Sequence, residues 1–290
     1  MSGEVVGAGT GSPIPSDPRS TDPHASGRTA AAARAFATGG PLSVLARNLL
    51  VTRRTTWVVV LVGFLEPVLY LLAMGFGLGQ FIGGVDAGGG EVSYAAFVAP
   101  GLLAVAAMNG AIYESTWNVF FKLKYAKTYQ SMLATTLSPR DVALGEIFSA
   151  LARGALYAMG FLVVMQAMGL NRSWTAVLAL PAVVLVASGF AAFGMGITCL
   201  MKTMQQLDLI NVVLLPMFLL SATFYPITVY PEPLQWVIKV LPLWHGVELV
   251  RDLTLGAVGW GTLVHVGYYV ALIAVGMTLT TRVLDKRFLR

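Results

Sequence analysis

Long apolar stretches recur along this chain, and the one from Trp174 to Met201 contains no charged residue at all. A backbone surrounded by hydrocarbon must satisfy its own hydrogen bonds, so such a stretch is constrained to a membrane-crossing helix of ~20 residues. Six stretches meet that length: about 57–79, 94–121, 142–169, 174–201, 207–225 and 262–281. Hydrophobic residues make up 56% of the chain and charged residues 11%, where a soluble domain carries roughly a quarter charged. The reading is an all-α integral membrane protein with six transmembrane helices.

Lysine and arginine give the orientation. Arg19, Arg28, Arg34, Arg47, Arg53 and Arg54 precede the first span. Lys122, Lys124, Lys127 and Arg140 follow the second, Lys202 the fourth, and Arg282, Lys286, Arg287 and Arg290 the sixth. Only Arg172, Lys239 and Arg251 fall on the opposite side. Cytoplasmic loops collect these residues, so both termini are expected inside. The same clustering beside apolar spans explains the net charge of +5 without any affinity for nucleic acid.

Residues 1–37 are rich in Gly, Ser, Thr, Pro and Ala and are expected to form a disordered cytoplasmic tail. They contain no apolar core of a secretory signal. The run Gly7-Ala-Gly-Thr-Gly11 has no lysine after it and no strand before it, so it is not a phosphate loop. The membrane domain is then 38–290. From Pro41 to Arg54, Leu42, Leu45, Leu49 and Leu50 recur at helical spacing, with Arg47, Asn48, Arg53 and Arg54 off that stripe. This spacing predicts an interfacial helix on the inner leaflet.

The loop after the second span, about 122–140, is basic and amphipathic. Tyr125, Tyr129, Met132 and Leu133 fall on one helical stripe. Ser138-Pro-Arg-Asp141 then carries the signature of a capped helix start, with Pro139 at the first helical position and the Asp141 carboxylate returning toward Ser138. An element of this kind docks a soluble partner or lies against lipid; the residues alone leave both open.

Charges within apolar spans are expensive and mark packing or pathway sites, with a proton relay as the sharper alternative; a relay needs several carboxylates or histidines at mid-membrane, and most of these charges sit toward span ends. Glu66 precedes Pro67, which removes a backbone donor and kinks a helix. Asn109 and Glu114 lie deep enough in the second span to face a polar cavity, and Glu146 and Arg153, seven apart, share a face. Between the fifth and sixth spans, Pro226, Pro231, Pro233 and Pro242 cut an apolar segment into pieces too short to cross. Two short re-entrant helices are expected over about 232–255. There His245, Glu248 and Arg251 recur at three-residue spacing; a self-satisfied Glu248–Arg251 pair fits this better than a metal site, since one histidine stands without a second ligand. A single cysteine, Cys199, excludes an internal disulfide. No nucleotide-binding loop, zinc-protease motif or nucleophile elbow occurs, so no catalytic residue is assigned and the chain is not expected to be an enzyme by itself.

Four strings carry a resemblance to a known family: Phe64-Leu-Glu-Pro-Val-Leu-Tyr-Leu-Leu-Ala-Met-Gly-Phe-Gly-Leu-Gly79, Pro100-Gly-Leu-Leu-Ala104, Leu137-Ser-Pro-Arg-Asp-Val-Ala-Leu-Gly-Glu146 and Leu241-Pro-Leu-Trp-His-Gly-Val-Glu-Leu-Val-Arg251. In this order they resemble the membrane subunit of ABC-2 type transporters, closest to the nodulation protein J subfamily. That resemblance implies a multi-pass permease of the cell membrane, in bacteria the inner membrane. It would pair with a second permease, identical or paralogous, and with two copies of a cytosolic ABC ATPase that bind ATP and magnesium; this chain itself binds no cofactor.

It implies further that the loop over 122–140 is the coupling helix, with Tyr125, Tyr129, Met132, Leu133, Ser138, Arg140, Asp141 and Glu146 at the ATPase interface. A path between spans one, two and five would be lined by Glu66, Tyr70, Asn109 and Glu114. The re-entrant helices, through Trp236, Pro242, His245, Glu248 and Arg251, would close its outer end. The implied cargo is amphipathic and moved outward: a lipo-oligosaccharide, a lipid-linked glycan or a hydrophobic drug. Two other classes compete. An ion-coupled carrier needs inverted repeats and midplane charges, and no internal repeat is found. A membrane enzyme acting on lipid-linked sugars needs clustered carboxylates or a metal site, and neither is evident.

Overall fold

The computed structural model describes residues 40–52, 57–87, 90–135, 137–171 and 173–288. The tail over 1–37 lies outside the described residues, as do Arg53 and Arg54 at the end of the expected interfacial helix.

Helix α1 (Pro41–Thr52) leads to α2 (Trp57–Leu72), which continues through a π-helical turn, Ala73–Gly77, and a 3-10 turn, Leu78–Gln80. A hairpin of two-residue strands follows, β1 (Val85–Asp86) and β2 (Glu91–Val92), paired antiparallel with Val85 opposite Val92. This hairpin departs from the all-helical expectation. The Gly-rich loop that forms it is too short to bury a helix but can close a tight turn, and Gly90 supplies a backbone φ of +125° there.

Helix α3 (Tyr94–Tyr113), a π-helical turn (Glu114–Asn118) and α4 (Val119–Lys124) form one continuous run. After it come the short α5 (Thr128–Leu133) and the long α6 (Pro139–Ala167). A 3-10 turn (Trp174–Leu178) opens α7 (Ala179–Leu200), and α8 (Gln205–Leu220) follows. Next are α9 (Glu232–Val240), α10 (Pro242–Leu255) and α11 (Trp260–Phe288).

Among the described residues, four helical runs are long and apolar enough to cross a membrane: Tyr94–Lys124, Pro139–Ala167, Trp174–Leu200 and Trp260–Lys286. Helices α2 and α8 are apolar but shorter, 16 residues each. The fifth span, expected over 207–225, ends at Leu220. There Ala222 takes a left-handed φ of 56° and the Ser221 hydroxyl turns back to the Phe218 carbonyl at 3.1 Å, which stops the helix.

Helix α3 is the central column. It is apolar all round, and its buried residues face every direction, as a helix enclosed by others must be. It packs against α2, α6, α7 and α10. The most extensive seam joins α7 to α11. Small residues make it possible: a Cβ on Gly276 would stand 2.5 Å from the Ala192 carbonyl carbon and 2.6 Å from the Phe193 nitrogen. In hydrocarbon, such close backbone approach supplies the dispersion contact that holds helices together. Gly75 allows a second close approach: a Cβ on it would lie 3.1 Å from the Ala95 Cβ at the start of α3.

Candidate functional site

Two regions collect the polar side chains that the apolar bundle would otherwise reject. The first sits where α1, α4, α5 and α6 converge. The Lys122 ammonium lies 2.7 Å from Glu146 and 3.9 Å from Glu114, and the Arg153 guanidinium lies 2.8 Å from the other Glu114 oxygen. Glu114 and Glu146 are buried. Asn118 donates to Glu114, Lys122 donates to the Asn48 amide oxygen at 3.3 Å, and Asn48 donates to the Ser149 hydroxyl at 2.9 Å. Two carboxylates and two cations thus neutralise one another out of water, the condition under which buried charges are tolerated.

Local geometry builds this cluster. The π-helical turn at Glu114–Asn118 adds a residue to the turn and brings Glu114 and Asn118 together; π-bulges of this kind concentrate at functional positions. Helix α1 reaches the cluster because Gly145 leaves room: a Cβ there would stand 2.4 Å from the Val44 Cβ. On α1 Leu42 is 66% exposed, but Asn48 is buried against α6 rather than turned outward. Its amide is needed there to bridge Lys122 and Ser149.

The expected coupling helix is broken. Lys122 and Lys124 complete α4, Lys127 takes a left-handed φ of 49°, and only Thr128–Leu133 form α5. Tyr125 therefore does not share a stripe with Tyr129 and Met132. It stacks on Phe121, ring centroids 5.7 Å apart, and is 58% exposed, whereas Tyr129 and Met132 are buried. The Tyr129 hydroxyl lies near the Glu146 carboxylate, and burial followed by that charge pushes its pKa well up. Tyr129, Met132 and Glu146 thus anchor α5 from within, Leu133 packs beside them, and Tyr125, Ser138 and Arg140 present an outer face. The start of α6 is as the sequence predicts: Ser138 Oγ accepts from the Asp141 amide at 3.2 Å and the Ser138 amide donates to Asp141 Oδ2 at 2.9 Å.

The second region is an open groove between α2, α3 and α8. A cavity of about 230 Å³ is lined by Glu66, Tyr70, Asn109, Asn211 and apolar side chains that include Val105, Met108 and Phe218. Tyr70 meets Phe218 edge-on, centroids 5.9 Å apart. Three of the four expected path residues come together here. Glu114 does not. It follows Asn109 by five residues, which at 3.6 per turn rotates it about 140° around the helix axis, away from the groove and into the ion cluster. Asn211 was missed, although it stands in an apolar helix as Asn109 does and the same argument would have found it.

On the opposite end of the bundle, α9 and α10 form the expected pair of short helices. Glu248 and Arg251 pair at 2.7 Å as the sequence predicts. Arg251 also donates to the Ala222 carbonyl at 2.9 Å and lies 4.0 Å over the Phe97 ring, so it joins α10 to α3 and to the bend after α8. His245 meets His265 of α11, Nδ1 to Nδ1, at 2.7 Å and stacks on Tyr268. Pro242 opens α10, and its carbonyl accepts from Tyr269 at 2.8 Å. Trp236 is 71% exposed, with the Lys239 ammonium 5.1 Å over its ring. His265 was not singled out from the sequence. No group of three or more metal-binding side chains occurs among the described residues.

Comparison with known proteins bears on both regions. The family model described as "ABC-2 type transporter" matches residues 42–255. Nodulation protein J of Rhizobium leguminosarum bv. viciae is 32% identical over 251 residues, which is 86% of this chain and 95% of the relative. Nodulation protein J of Rhizobium meliloti (strain 1021) is 29% identical over 253 residues, 86% of this chain and 94% of the relative. That of Azorhizobium caulinodans is 25% identical over 211 residues, 72% of this chain and 82% of the relative.

Proposed function

Because this chain belongs to the ABC-2 type transporter family, we propose that it is the membrane permease of an ATP-binding-cassette exporter that moves an amphipathic cargo outward. In this reading six helices cross the bilayer, α2 and α8 included, with both termini inside. The distribution of lysine and arginine supports that orientation. Two copies of a cytosolic ATPase dock at α5, and a second permease completes the path. The family resemblance implies a cargo with an oligosaccharide head and a lipid tail, and a hydrophobic drug fits the same apolar helices.

The observation that carries the proposal is the link between α5 and the groove. Tyr129 and Met132 seat α5 against the ion cluster, and the cluster includes Glu114 on the same continuous helical run that presents Asn109 to the groove. A push on α5 is delivered to α3 through charged contacts, which hold their geometry where apolar contacts slide. The groove then opens or closes between α2, α3 and α8. The short helices α9 and α10, clamped by Arg251, cover the outer end.

The test is copurification of the full chain in mild detergent, followed by reconstitution. A P-loop ATPase that copurifies, and whose hydrolysis depends on this chain, supports the exporter. Replacement of the exposed pair Tyr125 and Arg140 by alanine should uncouple hydrolysis from export while leaving the chain folded. Isolation of the chain alone across several detergents with ATP present would overturn the proposal.

A further inference from the structure

Glu66 is a groove residue whose charge no lysine or arginine balances among the described residues. It is exposed on α2 and lines the cavity together with Tyr70, Asn109, Asn211 and Phe218. At 1.5 Å per residue it lies about 14 Å from Trp57 and about 21 Å from Gln80, well away from either end of its helix. An ionisable group at such a depth faces a partner or a watered cavity. Among the described residues no lysine or arginine pairs with it.

A second copy of the chain does not repair this. The described cations at the core of the bundle, Lys122 and Arg153, are committed to Glu146 and Glu114. The remaining described lysines and arginines lie on α1 (Arg47, which donates to Asn48), toward helix ends, in loops or on the α9–α10 pair. Apposing a second groove would double the negative charge. The counter-charge therefore comes from outside the protein. The lining supports the same conclusion. Ring faces at Tyr70 and Phe218 attract a positive group, the Asn109 and Asn211 carbonyls accept from its N–H bonds, and no groove residue offers a cationic donor to an anion.

We infer that the groove selects cargo carrying a positive charge on an apolar body, a cationic amphiphile, with Glu66 as the counter-ion. This rests on the reading of the groove as the transport path and narrows its cargo. Anionic lipids and sulfated or phosphorylated glycans meet an uncompensated carboxylate and are rejected. Neutral lipids of the surrounding leaflet gain nothing at Glu66, so the groove does not fill with bilayer components.

The test uses the full chain in neutral detergent micelles with two probes of nearly equal size and opposite charge, tetraphenylphosphonium and tetraphenylborate. Equilibrium dialysis measures each against empty micelles, for the wild type, Glu66→Gln, Glu66→Asp, and an Asn211→Cys variant that also carries Cys199→Ala, before and after labelling with a bulky maleimide. Tetraphenylphosphonium should bind saturably. Its affinity should fall roughly tenfold in Glu66→Gln, the scale of one partly screened charge pair, and recover most of the way in Glu66→Asp. Maleimide at position 211 should block it.

Binding that maleimide blocks but that Glu66→Gln leaves unchanged overturns the charge assignment while the groove stands as the path. Binding indifferent to maleimide overturns the groove itself. Equal saturable binding of tetraphenylborate, or no saturable binding of tetraphenylphosphonium, also overturns the charge assignment.

Discussion

His245 on α10 and His265 on α11 meet nitrogen to nitrogen at 2.7 Å, so one ring must donate and the other must accept. Once both rings are protonated neither nitrogen can accept, and the contact is lost. Burial, followed by the neighbouring His265, lowers the His245 pKa to about 4. Tyr268 stacked on the ring, Trp244 at its edge and the Lys239 carbonyl complete its surroundings; among the described residues no carboxylate is paired with it.

The sign of the pH effect follows. A histidine whose pKa is depressed on folding binds fewer protons folded than unfolded, so acid destabilises the fold. Stability held above pH ~6.5, the ordinary histidine value, should be lost progressively as pH falls through about 4. Thermal unfolding in detergent at several pH values measures it. His245→Phe keeps the aromatic stack, lacks the titration and should flatten the acid limb; an unchanged acid limb would show that carboxylates elsewhere set it.

Arg251 is buried and held on four sides by Glu248, the Ala222 and Phe97 carbonyls and the Phe97 ring. A planar guanidinium makes these contacts together, and a lysine cannot. Arg251→Leu strands Glu248 and should cost about 3–5 kcal/mol. Arg251→Lys should recover less than about half of that. Thermal midpoints of the two variants, with protease sensitivity of the α9–α10 segment, separate the outcomes.

Lys122 and Glu146 are an ion pair whose single removals each strand a buried charge. Lys122→Met and Glu146→Leu should each destabilise by about 3 kcal/mol. The double variant should cost clearly less than the two together, because two apolar side chains replace a satisfied pair. A strictly additive double-variant cycle would mean that the pair does not interact in the folded protein.

Gly276 lies so close to the α7 backbone at Ala192 and Phe193 that no side chain there can move aside. Gly276→Val should separate α7 from α11 and cost about 1–3 kcal/mol or more. Gly267, on the same helix with open space around it, should tolerate alanine. The two thermal midpoints give the comparison.

The elements that the sequence makes plain are those governed by short-range rules. Ser138-Pro139-Arg140-Asp141 announces its cap because every partner lies within one turn. Prolines at 231, 233 and 242 delimit α9 and α10 for the same reason. The Glu248–Arg251 pair is three residues apart and needs no tertiary knowledge.

What the sequence hides depends on helix rotation and long-range meeting. Asn109 and Glu114 look alike along the chain, yet one faces the groove and the other the ion cluster, since the π-helical turn and the packing of α6 decide which way each points. Tyr125 looks continuous with Tyr129 until Lys127 turns left-handed. Asn48 reads as a polar flank of a surface helix, and only the 101-residue separation to Ser149 reveals its role. His265 reads as a lone histidine until His245 is brought against it.

In the proposed six-span topology α8 crosses the bilayer, yet at 16 residues it is about 24 Å long, against a hydrocarbon thickness of ~30 Å. A helix that short draws the two leaflets toward each other around it, a deformation that costs fractions of a kcal/mol per Å. The thinnest patch of bilayer then lies beside the groove. On the proposed function, a polar head entering there from the inner leaflet meets less oil than beside the longer helices, so the membrane itself is shaped into the approach.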